Sequence, residues 1–163
     1  EYGYTLKDSK TKTYKNMFKE LKEILQKDKV DEEAYVKQIS KMFIYDFYSL
    51  NDKAAKTDVG GTDFVYNEIL DNFLLNAQDT YYKYVESNIY NDRKQSLPIV
   101  DEASIKIDDI NSAAYAYGTK TDEKAYAVKV TWNYTEDEYS DYQKEATLVF
   151  IHDGKKLSLV ELQ

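Results

Sequence analysis

A change of hydrophobic period at the single proline divides this chain. Before Pro98 the apolar residues recur at three- and four-residue steps, and after it they alternate. The first spacing is that of an amphipathic helix and the second that of a half-buried strand. Proline cannot continue a helix, so the switch falls at a break. Helices first and strands last, within 163 residues, give an α+β domain in which the helices cover the apolar face of the sheet.

The helical half reads as follows. Residues 1–12 are polar, without periodicity, and form a flexible lead-in to a single domain over 13–163. In residues 13–27, Tyr14, Met17, Phe18, Leu21, Ile24 and Leu25 share one face. "QKDKVDEE" interrupts the pattern. Asp31 then has the place and chemistry of an N-cap, with Glu32 and Glu33 favoured in the first turn by the helix dipole. Residues 32–50 make a second helix on a stripe of Val36, Ile39, Phe43, Phe47 and Leu50, flanked by Tyr35, Met42 and Asp46. Two helices joined by a short polar turn form an antiparallel hairpin. Residues 67–77 predict a third helix, and "TYYKYVESNIY" continues the pattern as the same helix or a further one.

The second half predicts an antiparallel meander of about four strands. Alternation runs through Ala103, Ile105 and Ile107, then through Ala113, Tyr115 and Tyr117. It is clearest in Tyr126, Val128, Val130, Trp132 and Tyr134, which places Trp132 on the apolar face. Ala146, Leu148 and Phe150 follow, then Leu157 and Leu159. Between them Asp153-Gly154 suits a two-residue type I′ turn.

Composition excludes several functions. There is no cysteine, so disulfides, thiolate metal sites and thiol nucleophiles are absent. The net charge of −8 opposes general binding of nucleic-acid phosphates. The lysines at 10, 12, 15, 19 and 22 read as a solvated helix face. No apolar run approaches the roughly 18 residues of a membrane helix. Residue 1 is Glu, which points to a processed piece whose signal or lipid anchor lay upstream. Positive charge is 21 lysines against Arg93 alone, and with abundant Tyr, Asn and Ile this is the usage of a low-GC genome.

Motifs that would carry chemistry are few. Gly60-Gly61 lacks the spacing and the Lys-Ser/Thr of a phosphate loop, so it reads as a corner. Asn51, Asp52 and Asp58 nearby are oxygen-rich but lack the calcium-loop spacing, and no metal or other cofactor is expected. His152, the only histidine, stands at a hairpin with no partner close in sequence. Arg93 would hold a carboxylate by two points or make a structural ion pair.

The order of elements resembles the nuclear transport factor 2-like fold, the cystatin-like cone. "KMFIYDFYSLNDKAAKTDVGGTDFVY" and "DTYYKYVESNIYNDRKQSLP" are also similar to uncharacterised extracellular lipoproteins of low-GC Gram-positive bacteria. The resemblance implies a helical hairpin and third helix on a curved antiparallel sheet of four or five strands, with "TDFVY" as a short extra strand. It implies a pocket between helices and sheet, where Asp46 with Tyr45 and Tyr48 would form an acid–base site. Trp132 and Arg93 are further candidates to touch a ligand. The family hosts isomerases, dehydratases and binding modules, so the fold alone does not choose among them. The expected reading is an extracellular, membrane-tethered, non-enzymatic domain that binds a small ligand or a cell-surface protein, with a homodimer through the sheet as an analogy. An isomerase or dehydratase, and a scaffold subunit of an envelope complex, are the alternatives.

Overall fold

The computed structural model describes residues 2–163. Three helices come first, α1 (Lys12–Leu25), α2 (Glu32–Tyr48) and α3 (Leu70–Asp79). Four strands follow, β1 (Lys106–Tyr117), β2 (Lys120–Thr131), β3 (Glu145–Asp153) and β4 (Lys156–Leu162). The strands pair antiparallel in the order β1-β2-β3-β4, as a curved and unclosed sheet. The domain is thus the α+β fold expected from the change of period.

Local chemistry sets the helix starts. The Thr11 hydroxyl accepts the Tyr14 N–H and caps α1. Asp31 accepts the N–H groups of Glu33 and Ala34 and caps α2, as its position predicted. α1 buries one stripe, Tyr14, Met17, Phe18 and Leu21. α2 is the central post of the fold: its second half, Met42 to Tyr48, is buried on every side, as expected of a helix apolar all round. Among the described residues no helix is long and apolar enough to cross a membrane.

The helices cover an inner sheet face made of Val128, Val130, Leu148, Phe150, Leu157 and Leu159. Trp132 continues that face just beyond β2 and is buried, packing at a tilt on Tyr48 with centroids 4.6 Å apart. The outer face is apolar too: Ala125, Val149, Ile151 and Val160 lie beneath Tyr66, with Tyr115 and Tyr117 beside them. That explains the nearly unbroken apolar run of β3, which alternation alone would not predict.

Four expectations are corrected. "TDFVY" is not a strand: Thr62–Phe64 form a 3-10 turn and only Val65 bridges, in parallel, to Leu159. The segment after Asp79 is not helical either; it turns at Thr80–Tyr84, because Tyr81 and Tyr82 both point inward to bond α2 carbonyls. The hairpin loop is Gly154-Lys155, since Asp153 pairs with Lys156, and Gly154 takes the left-handed φ of +65°. Finally, residues 2–11 are docked rather than loose: Tyr4 bonds both the Leu157 carbonyl at 2.7 Å and the Tyr35 hydroxyl at 2.6 Å. Glu1 of that lead-in lies outside the described residues.

Candidate functional site

The carboxylate singled out as a general base is buried and fully engaged. Asp46 Oδ2 accepts from Lys10 Nζ at 2.7 Å and from the Gly61 N–H at 2.8 Å. Its Oδ1 lies 3.5 Å from Lys53 Nζ. Burial by itself would push its pKa up, but Lys53, Lys10 and the Gly61 N–H outweigh it and hold the carboxyl below the ordinary aspartate range. That is the opposite direction from the raised pKa expected of a general base. Lys53 is 2% exposed and is further held by the Ser49 carbonyl at 2.7 Å and Asp52 at 2.8 Å.

Gly60-Gly61 is the corner it was read to be, with a different cause. It lies twelve residues past the end of α2 and so does not cap it. Gly61 has φ +77°, and its N–H meets Asp46. Gly60 sits against α2 itself, where a Cβ would fall 2.1 Å from the Asp46 carbonyl oxygen. Two of the acidic residues nearby have structural partners: Asp52 pairs with Lys53 and Asp58 accepts the Ala54 N–H.

The other predicted residues do not converge on Asp46. Tyr45 is buried, 3.4 Å from the Thr11 hydroxyl, on the α1 side. Tyr48 packs on Trp132 and Tyr81 instead. Arg93 donates to the carbonyls of Lys53, Glu86 and Asn51 at 2.8 to 3.0 Å, which ties two loops together and leaves it no carboxylate to grip. His152 is half-buried rather than solvent-facing: its Nδ1 meets Asp122 and its Nε2 meets Glu32, each at 2.9 Å. Both ring nitrogens face carboxylate acceptors, which favours the cation; burial opposes this, but Glu32 and Asp122 raise its pKa. Glu32 also accepts from the Tyr126 hydroxyl. The position on Nε2 that a nucleophile would take is filled by Glu32, and the two carboxylates stand on opposite ring edges. This cluster joins the start of α2 to the sheet.

Away from Asp46, a groove of about 430 Å³ lies between α3 and the free edge of β4. Phe47, Tyr48, Phe73 and Tyr81 form its aromatic wall, and Leu159 and Leu162 its strand side. Asn72 and Asn76 stand on one face of α3 at four-residue spacing and, with Thr80 just past its end and Gln143, line it with amide and hydroxyl groups. The Tyr81 hydroxyl donates to the Tyr48 carbonyl at 2.8 Å and lies 3.2 Å from the Tyr134 hydroxyl. Burial pushes the Tyr81 and Tyr134 phenols up, so both stay neutral. The one carboxylate on the rim, Glu161, accepts the Tyr115 hydroxyl.

Tyr48 is thus the one predicted residue at the groove. Phe73, Asn76, Tyr81 and Gln143 were missed as a set. The Asn72, Asn76, Thr80 repeat is a signal in the sequence, but its partner wall comes from residues distant in the chain. No family model, curated protein or solved structure matches this chain.

Proposed function

We propose that this chain is a non-enzymatic binding domain of the nuclear transport factor 2-like kind, held outside the cytoplasm by an anchor upstream. Its ligand lies in the groove between α3 and β4. The observation that carries this reading is the groove's lining: aromatic faces and amide side chains, with no unpaired acid or base. A site of that character suits a small neutral molecule with a flat apolar face and a hydrogen-bonding rim, such as a saccharide or aromatic amide. Asp46, the base that the isomerase and dehydratase alternatives would use, is paired with Lys10 and Lys53 and is not among the groove's lining residues. Absence of cysteine and the acidic balance accord with a cell-surface location.

Native mass spectrometry of the freshly purified chain tests this. A retained neutral adduct, lost in the groove-filling variant Asn76→Trp, is the expected result. An adduct equally retained by that variant would contradict the groove as its site.

The scaffold alternative keeps one supporting observation. Tyr84, Ile89 and Tyr90 are 76%, 63% and 80% exposed on the segment after α3. Exposed apolar clusters commonly mark protein contacts. Concentration-dependent sedimentation that disappears in Tyr84→Ser/Tyr90→Ser would favour that reading.

A further inference from the structure

A second cleft lies on the far side of α1, under the N-terminal segment. Residues 2–6 cross the surface as a strap, pinned by the Tyr4 hydroxyl and by the Thr5 N–H, which donates to Asp63 at 2.9 Å. Between strap and helix remains a space of about 760 Å³, larger than the α3–β4 groove. Its floor is apolar, built from Phe18, Leu21 and Leu25, and its wall is the strap's Tyr2 and Tyr4. A cleft of this size lies within the range that holds small ligands.

Its charge runs against the rest of the molecule. The chain has 30 Asp and Glu against 22 Lys and Arg, yet among the described residues the cleft is lined by Lys22 and Lys155 and by no carboxylate. Both lysines are exposed, one on α1 and one on the β3–β4 turn. Lys155 Nζ stands 4.9 Å from the Tyr2 ring, so the cation overhangs the apolar slot. An apolar trough with cations at its mouth is complementary to one chemistry: a hydrocarbon tail ending in an anionic head.

We propose that this cleft binds a single-chain carboxylate amphiphile, with its tail along Phe18, Leu21 and Leu25 and its head between Lys22 and Lys155. The ammonium groups act as point charges that need no fixed geometry. The strap closes over the tail, and its Tyr4 anchor keeps it from swinging away. This site shares no residue with the α3–β4 groove and does not depend on the ligand assigned there.

Isothermal titration of the full chain with octanoate, decanoate and decanol tests it. Decanoate is expected to bind one to one, and octanoate about sixteenfold more weakly, at about fourfold per methylene. Lys22→Gln/Lys155→Gln should weaken decanoate by about tenfold, two exposed charge contacts being lost, and leave decanol unchanged. Leu25→Asn, partly exposed on the floor, should weaken both, while Asn76→Trp should bind decanoate as the wild type does. No saturable binding of decanoate, binding indifferent to chain length, or equal binding by the double lysine variant would overturn the proposal. So would association with anionic phosphatidylglycerol vesicles without binding of decanoate, which would make the lysines a membrane-surface patch.

Discussion

Asp46→Asn isolates the buried charge cluster on which the helical half turns. The carboxylate is 4% exposed and takes Lys10 Nζ at 2.7 Å, the Gly61 N–H at 2.8 Å and Lys53 Nζ at 3.5 Å. Removing one partner of a buried ion pair costs about 3–5 kcal/mol, because the charge left behind stays desolvated. Here Asp52 remains 2.8 Å from Lys53 and Lys10 can turn to water, so the lower end applies, about 3 kcal/mol. For a chain of this length that is a fall in Tm of about 6–12 °C. Urea titration at pH 7 reads it as a lowered midpoint at constant slope. The folded carboxyl lies below its unfolded value, so its contribution is present above the unfolded pKa and lost as pH falls through the folded one. Wild type and variant should therefore converge at strongly acidic pH. A companion variant, Asp46→Leu/Lys53→Met, should recover most of the loss, since an apolar pair of similar size leaves no stranded charge. A loss below about 1 kcal/mol for Asp46→Asn, or a double variant as unstable as the sum of the single ones, would refute the reasoning.

Four further outcomes are expected. Gly60→Ala drives a methyl to within 2.1 Å of the Asp46 carbonyl oxygen; chemical denaturation should show a loss above about 3 kcal/mol. Gly118→Ala, with nothing within 4 Å of the added Cβ but a φ of +58°, should lose only about 1 kcal/mol. Trp132→Ala should cost about 3–5 kcal/mol by the same measurement, as for a buried large side chain, and a loss well under 1 kcal/mol would put Trp132 at the surface. His152 has a raised folded pKa, so its stabilisation is complete below the unfolded value of about 6.5 and is lost as pH rises through the folded value. His152→Gln should flatten the thermal stability profile on that alkaline side, and an unchanged profile would place the ring outside the Glu32–Asp122 network.

The fold was legible wherever local chemistry decides it. Asp31 was recognisable as a cap, and the change of period at Pro98 placed the helices before the sheet. Trp132 was placed on the inner face by alternation. Elements whose shape is set by distant partners were not legible. The string around Tyr81 and Tyr82 has helical spacing, but their hydroxyls reach the Tyr48 and Phe47 carbonyls at 2.8 and 2.7 Å, and those contacts turn the chain instead. The resemblance put Val65 in a short strand; its neighbours instead serve two faces, Phe64 entering the core and Tyr66 covering the outer sheet face. The candidate site failed for the same reason. Asp46 lies close to Tyr45 and Tyr48 in the chain, but at about 100° per residue it points about 100° from Tyr45 and about 160° from Tyr48, so the carboxylate faces away from both rings. His152 acquired its partners from residues 30 and 120 positions away.

The central claim is that the α3–β4 groove is the binding site and holds its ligand without chemistry. Two-dimensional NMR of the labelled chain, titrated with neutral saccharides and small aromatic amides, tests it most directly. Saturable shifts confined to Phe73, Asn76, Tyr81 and Gln143, with the added compound recovered unchanged, are the predicted result. Shifts centred on Asp46 and Lys53, or turnover of the added compound, would contradict it.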